Sequence, residues 1–87
     1  MGLKWKNLQT QKIFNLLQKY DFTDYIRTLM YINHYDIRGG IYEISEEFTK
    51  EERLIYYNCI KKVDYHQLIA YYRIQLGYPV KNFDKIF

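Results

Sequence analysis

The residues of this chain that could carry out catalysis or bind a metal are few and lie far apart. Cys59 is the only cysteine, and the two histidines are His34 and His66. Nucleophilic catalysis requires an activated thiol or hydroxyl beside a base, and a structural zinc site requires ligand pairs at short spacing. Cys59 falls on an apolar face of a predicted helix, where a thiol acts as a small buried hydrophobe. The sequence therefore predicts no catalytic residue, no metal site and no cofactor.

Other motifs with chemical potential are incomplete. The Gly39-Gly40 pair lacks the lysine and the serine or threonine that follow the glycines of a phosphate-binding loop. The carboxylates that are adjacent in sequence stand beside predicted helix starts and not in an identifiable cleft. We therefore expect that the protein is not an enzyme.

The tyrosines are the positive signal for function. Eleven tyrosines in 87 residues are more than so small a core can enclose, because a buried phenol needs a polar partner for its hydroxyl. Tyrosine is enriched at interface hot spots, so surface tyrosines predict protein binding. Tyr31, Tyr57 and Tyr71 fall beside the inner faces of their predicted helices and are the candidate anchors. A second interpretation is that the surplus reflects amphipathic rim residues and the codons of an AT-rich genome.

An acidic segment surrounds Phe48. Its glutamates are Glu43, Glu46, Glu47, Glu51 and Glu52. Acidic side chains in the first turn of a helix are expected from the helix dipole alone, which accounts for the last two. Alternatively, the segment is an acidic patch with an aromatic centre, suited to a basic protein surface. On that interpretation Phe48, Glu46 and Glu47 join the protein-binding residues.

A capping signal begins each of two helices that organise the second half of the chain. Thr49 followed by Glu52 predicts a helix over residues 50–62, because the hydroxyl accepts a first-turn N–H and the carboxylate reaches back to the cap. Asp64 followed by Gln67 repeats the arrangement. The two helices are therefore predicted to be joined by almost no connection.

The second capped helix should cover residues 65–76, because Gly77 can adopt the left-handed conformation that ends a helix. The pair supports a second functional hypothesis, a nucleic-acid binder that uses both helices as a helix-turn-helix-like unit. Outward side chains would enter a groove and lysines would contact phosphates. The residues concerned are His66, Gln67, Arg73, Lys61, Lys62 and Lys81. The connection is, however, shorter than the usual turn of that motif.

Two further helices are predicted upstream. Apolar residues at helical spacing indicate a first helix that begins near Asn7 or Thr10 and runs to about Tyr20. Asp21 or Thr23 would cap a second helix. The short break between them makes the two helices close neighbours.

Residues 34–45 allow two interpretations. In one, the second helix continues to Arg38 and Gly39 terminates it. In the other, these residues form a β-hairpin that turns at Gly39-Gly40 and places alternating apolar side chains on one face. The predicted fold class is therefore mainly α: a compact four-helix domain, with or without one short β-hairpin around residues 34–45.

Length and composition indicate one helical domain, with residues 1–9 as a basic lead-in and residues 78–87 as a tail packed on the helices. We expect Trp5 in the lead-in to dock on the core, since large aromatics are mostly buried. The single cysteine and the lack of a signal-like or membrane-spanning apolar run fit a soluble, cytoplasmic protein. A net charge of +3, acidic in the middle and basic at both ends, is too small to imply nucleic acid by itself.

These observations favour a small regulatory or inhibitory protein that acts by binding another protein. Self-association as a homodimer is one way to cover the surplus tyrosines. A phage or mobile-element modulator of a host protein would suit the size and the composition. The nucleic-acid-binding regulator is the alternative hypothesis, and a structural subunit of a larger assembly is a third.

Overall fold

The chain folds into helices in a computed structural model that describes residues 4–31, 37–81 and 83–86. The helices are α1 (Leu8–Gln18), α2 (Phe22–Tyr31), α3 (Ile37–Ile44), α4 (Lys50–Cys59), α5 (Tyr65–Gln75) and the single turn α6 (Phe83–Ile86). Short 3₁₀ turns follow α3 and α4, at Ser45–Glu47 and Ile60–Lys62. No strand occurs within the described ranges. The predicted compact, mainly α domain is confirmed, and α3 is an additional helix.

Helix α1 lies at the centre of the fold. Asn7 begins it, because its side-chain Oδ1 accepts the backbone N–H of Thr10 at 2.8 Å. The buried apolar residues of α1 are Ile13, Phe14, Leu16 and Leu17. This face contacts α2, α4 and α5, so α1 supplies the surface on which the other helices assemble.

The capping box at the start of α4 is confirmed. The Oγ1 of Thr49 accepts the backbone N–H of Glu52 at 3.2 Å, and the Oε1 of Glu52 accepts the backbone N–H of Thr49 at 2.9 Å. Helix α4 ends at Cys59, which is buried as predicted, and the following 3₁₀ turn runs to Lys62. The predicted span is therefore helical throughout, but it changes from an α-helix to a 3₁₀ turn after Cys59.

The capping box predicted at α5 forms only in half. The Oδ1 of Asp64 accepts the backbone N–H of Gln67 at 3.0 Å, as expected of an N-cap. The backbone N–H of Asp64, however, donates to the Oγ1 of Thr10 at 2.9 Å. This bond ties the start of α5 to α1, and the Gln67 side chain takes other partners.

Gln67 joins the two ends of the chain and is fully buried. Its Nε2 donates to the carbonyl oxygens of Lys4 at 2.8 Å and Ile86 at 3.2 Å. Its Oε1 accepts the backbone N–H of Lys6 at 3.0 Å. The prediction that Gln67 faces outward is therefore wrong. The lead-in and the tail close over this side of α5, which the periodicity of α5 alone does not reveal.

The predicted end of α5 is confirmed. Gly77 has a φ of 82°, in the left-handed region. The N–H of Tyr78 donates to the carbonyl of Arg73 at 2.8 Å, and the N–H of Gly77 donates to the carbonyl of Ile74 at 3.1 Å. These two bonds form a Schellman motif, which satisfies the last carbonyls of the helix.

Neither predicted conformation is found over residues 37–44, which form α3. Gly39 and Gly40 lie inside this helix, so Gly39 does not end a helix and the β-hairpin prediction is wrong. Residues 34–36 of the proposed hairpin lie outside the described ranges. Three isoleucines at helical spacing are buried on one face of α3: Ile37, Ile41 and Ile44. Their burial stabilises a helix despite the two glycines.

Gly40 has a packing role. A Cβ atom at this position would lie 2.5 Å from the Cε1 of Tyr25 on α2, so only glycine lets the ring approach this closely. The Tyr25 ring also stacks on Phe22, with 5.5 Å between the ring centroids. Gly40, which is compatible with a turn in the sequence, therefore allows α2 and α3 to pack closely.

Trp5 docks on the core, as predicted. Its ring stacks on Tyr71 with 5.0 Å between centroids and lies 5.1 Å from the ring of Phe14. The lead-in is therefore attached to α1 and α5 by an aromatic cluster as well as by the Gln67 bonds.

Candidate protein-binding surface

The most exposed large apolar side chains at the junction of α3 and α4 form one surface, which we call the tyrosine face. Tyr42 comes from α3 and is 68% exposed. Tyr57 and Leu54 come from α4 and are 64% and 61% exposed. Residues three apart in a helix are surface neighbours, so Leu54 and Tyr57 lie side by side. A cluster of large apolar side chains that are exposed to solvent indicates an interaction surface.

Tyr42 and Tyr57 meet at a depression of about 130 Å³ between α3 and α4. Its lining residues are Tyr42, Ser45, Glu46, Arg53, Tyr56 and Tyr57. The guanidinium of Arg53 donates to the carbonyl of Glu46 at 3.3 Å, which ties α4 to the 3₁₀ turn that follows α3. The depression is small, and its rim carries both cationic and anionic groups.

A row of aromatic rings continues from the tyrosine face into the core. The ring centroids of Tyr57 and Tyr56 are 5.3 Å apart, those of Tyr56 and Phe48 are 5.8 Å apart, and those of Phe48 and Tyr20 are 5.3 Å apart. The rings are tilted or edge-to-face, and such contacts are favourable at these separations. Tyr57 is therefore the exposed end of a packed row of rings and not an isolated ring.

Two phenols of the row, Tyr56 and Tyr20, have raised pKa values. Burial raises the pKa of Tyr56 above the usual value for a phenol, and the neighbouring phenols of Tyr65, Tyr57 and Tyr42 add to the rise. At the inner end, the hydroxyl of Tyr20 donates to the carboxylate of Glu52. The hydroxyls of Tyr56 and Tyr20 therefore stay protonated at physiological pH.

Four exposed carboxylates lie in the segment from the end of α3 to the start of α4, and one of them, Glu46, lines the depression. They are Glu43, Glu46, Glu47 and Glu51, and the exposed Lys50 lies among them. Glu52, by contrast, is buried and bound to Tyr20 and Thr49, so it belongs to the interior. The predicted acidic segment thus divides into an exposed part beside the tyrosines and a structural carboxylate beneath them.

The structure brings some of the predicted protein-binding residues together and separates others. Tyr57 and Glu46 line the same depression, and Glu47 is exposed in the 3₁₀ turn next to it. Phe48 is buried under Tyr56, so its ring supports the surface from below. Tyr71 belongs to a different cluster, with Trp5. The side chain of Tyr31 lies outside the described part of the structure.

Tyr42 is not among the predicted binding residues, because the sequence leaves the structure of residues 34–45 open between a helix end and a β-hairpin. Its position on α3 follows from the isoleucines at helical spacing, Ile37, Ile41 and Ile44, which turn Tyr42 outward. That periodicity is visible in the sequence, but the adjacent glycines are equally compatible with a hairpin turn or a helix end.

The nucleic-acid candidates do not form one surface. Gln67 is buried, as described above. His66, Arg73 and Lys81 line a cavity between α5 and the tail, whereas Lys61 lines a separate depression beside Tyr65. The remaining candidate is Lys62, which is exposed and whose carbonyl accepts a bond from Asn7.

Within residues 4–31, 37–81 and 83–86, no group of three histidine, cysteine, aspartate or glutamate side chains is placed to hold a metal ion. In the same residues, no helix has both the length and the apolarity needed to span a membrane. No protein-family model, curated protein sequence or solved structure matches the chain.

Proposed function

We propose that this chain is a small regulatory protein that binds another protein through the tyrosine face. The observation that carries the proposal is that Tyr42 and Tyr57, from two different helices, expose about two-thirds of their surface at the rim of one depression. Side chains of this type dominate the energy of protein interfaces, and truncating a hot-spot tyrosine typically costs at least about 2 kcal/mol of binding free energy.

Pre-organisation supports this role. Tyr57 packs on Tyr56, which packs on the buried Phe48. A ring held by its neighbours loses little conformational entropy when a partner covers it, so more of the contact energy appears as affinity. An equally exposed side chain without such neighbours would lose more conformational entropy on binding and would contribute less affinity.

Charge supports a basic partner. The exposed glutamates beside the tyrosine face would attract lysine and arginine side chains and orient them during association. Tyrosine rings also bind guanidinium groups over their faces. The chain contains this arrangement already, because the guanidinium carbon of Arg38 lies 4.5 Å from the ring centroid of Tyr65. A partner segment that carries arginine would suit both the rings and the carboxylates.

The proposed mechanism is steric: a protein of this size would inhibit or regulate its partner by covering a functional surface. A phage or mobile-element modulator of a host protein fits the composition and the size. Association of two copies through the same face is the homodimeric form of the proposal, and it would be visible as a concentration-dependent mass in light scattering.

Affinity purification from the source cell tests the proposal. Tyr42→Ala/Tyr57→Ala should lose the captured partner, while Tyr78→Ala, which changes a less exposed tyrosine beyond the end of α5, should retain it. Circular dichroism would verify that both variants remain folded. Nuclease treatment of the lysate should leave the capture unchanged. Equal capture by all three proteins, or capture that nuclease removes, would contradict the proposal.

A further inference from the structure

A cavity of about 360 Å³ lies between α5 and the C-terminal tail. This volume falls within the usual range of small-molecule sites, about 300–1,000 Å³. The cavity has apolar walls from both sides of the junction: Ile69 and Ala70 come from α5, Val80 from the loop and Ile86 from α6. Ala70 is buried, and its small side chain leaves the space that a larger residue would fill.

Among the described residues that line this cavity, the polar side chains are all basic. His66 and Arg73 come from α5, and Lys81 comes from the tail. His66 and Lys81 are exposed, whereas Arg73 is half-buried. None of the described lining residues is acidic. An apolar wall beside two cationic groups, Arg73 and Lys81, suits a ligand that has one anionic group and one apolar group.

Arg73 is held in place before any ligand arrives. Its Nε donates to the carbonyl of Pro79 at 3.0 Å, and its guanidinium carbon lies 5.7 Å from the ring centroid of Tyr78. These contacts use one edge and one face of the guanidinium. A planar guanidinium with a fixed orientation is well suited to a carboxylate or a phosphate, because little order is lost on binding.

The wall formed by α6 is also anchored. Gln67 donates to the carbonyl of Ile86 at 3.2 Å, and the Nζ of Lys6 donates to the carbonyl of Lys85 at 3.1 Å. The tail is therefore tied to α5 and to the lead-in independently of any ligand. The two sides of this open cavity are therefore connected to each other by hydrogen bonds.

We propose that this cavity binds a small amphiphilic anion: a carboxylate or phosphate monoester that carries a short apolar group. The apolar group lies against Ile69, Val80 and Ile86. The anionic group lies at the rim, where Arg73 and Lys81 donate to its oxygens. The site is separate from the tyrosine face, so its occupation does not require the protein-binding role.

Titration of the full-length chain with three hexyl compounds tests this site. The probes are hexanoate, hexyl phosphate and hexan-1-ol, followed by amide shifts in ¹H–¹⁵N spectra and by calorimetry. Hexanoate or hexyl phosphate should shift the amides of residues 66–73 and 80–86. Hexan-1-ol should bind at least about fivefold more weakly, since an ion pair at about 4 Å in water supplies roughly that factor. The tighter of the two anions identifies the preferred head group.

A pair of charge variants localises the effect. Lys81→Glu should weaken binding of the preferred anion at least about fivefold, because it replaces attraction by repulsion at the rim. Lys62→Glu makes the same change on an exposed lysine outside the cavity and should alter binding less than about twofold, since screening weakens distant charges. Tyr42→Ala/Tyr57→Ala should bind as the natural chain does. Equal binding of hexan-1-ol, equal effects of the two lysine variants, shifts confined to other residues, or no binding at millimolar concentrations would each overturn the proposal.

Discussion

The hydroxyl of Tyr20 donates to the carboxylate of Glu52, and this contact joins the segment after α1 to the first turn of α4. The same carboxylate accepts the backbone N–H of Thr49 at 2.9 Å and lies 3.5 Å from the Nζ of Lys19. Glu52 therefore serves two functions, as half of a capping box and as a tertiary contact. The inner end of the aromatic row depends on its ionised form.

Acid should weaken the fold through Glu52. The Tyr20 hydrogen bond, followed by the Thr49 backbone bond, lowers the pKa of Glu52 from 4.5 to about 2. Below pH 4.5 the unfolded chain takes up a proton at Glu52 that the native state does not, so this contribution to stability is lost progressively as the pH falls from 4.5 to about 2. Chemical unfolding measured across this range should show the decline. In Tyr20→Phe the decline should be shallower; an unchanged slope would contradict the role of the hydroxyl.

High pH should weaken the contact between Tyr20 and Glu52, because the phenol of Tyr20 then loses its proton. The bond to Glu52 raises the pKa of Tyr20 from 10.0 to about 12, because ionisation of the phenol would place it beside a carboxylate. The resulting stability is complete below pH 10 and is lost as the pH rises to about 12. The pH dependence of the ultraviolet absorbance of tyrosinate should be compared between the natural chain and Tyr20→Phe. The difference between the two curves should correspond to one phenol with a pKa of about 12. A difference that corresponds to a phenol with a pKa near 10.0 would contradict this prediction.

Gly40→Ala should destabilise the protein although alanine is the better helix former. The added Cβ would lie 2.5 Å from the Tyr25 ring, and overpacking of this kind costs about 1–3 kcal/mol. The gain in helix propensity, about 1 kcal/mol, offsets part of this cost. Gly39→Ala is the matched control, because Gly39 is an exposed neighbour in the same helix and should gain stability. Denaturant unfolding of both variants measures the contrast, and equal stabilisation would show that the Tyr25 contact is not restrictive.

Tyr72→Phe should stabilise the protein. Tyr72 is fully buried against Phe14 and Phe22, and its hydroxyl has no hydrogen-bond partner in the described part of the chain. Burial accordingly raises its pKa well above the usual value for a phenol. Removing an unpaired buried hydroxyl relieves a desolvation cost of about 1–3 kcal/mol. Thermal unfolding should show a higher midpoint for Tyr72→Phe but no measurable change for Tyr57→Phe, whose hydroxyl is on the surface. A lower midpoint for Tyr72→Phe would reveal an unseen partner.

The parts of this fold that sequence could predict are those that depend on neighbours within a few positions. The Thr49 capping box and the left-handed Gly77 are local devices, and both are observed. Gly40 is different, because its role is set by Tyr25 on another helix. A glycine that permits close packing and a glycine that permits a turn look the same in a sequence.

The candidate site also combines features that depend on nearby residues with features that depend on tertiary packing. Tyr57 could be predicted as exposed from its position on the α4 helix, whereas its proximity to Tyr42 depends on how α3 packs. The burial of Gln67 depends on residues at both ends of the chain. Contacts between residues far apart in sequence carry no local signal, so neither arrangement could be derived from helical periodicity.

Gln67→Ala should destabilise the protein by about 2–4 kcal/mol, because it removes three hydrogen bonds from a fully buried side chain and leaves their backbone partners to find water. Both ends of the chain should loosen, so amide hydrogen exchange should accelerate at Lys6 and through residues 83–86, while the core of α1 stays protected until global unfolding. Gln75→Ala is the matched control: its side chain is exposed and accepts one bond, from Thr23 at 3.4 Å, so it should lose no more than about 0.5 kcal/mol. If both variants lost the same stability, or if exchange rose at only one end of the chain, Gln67 would not be the link between the lead-in and the tail.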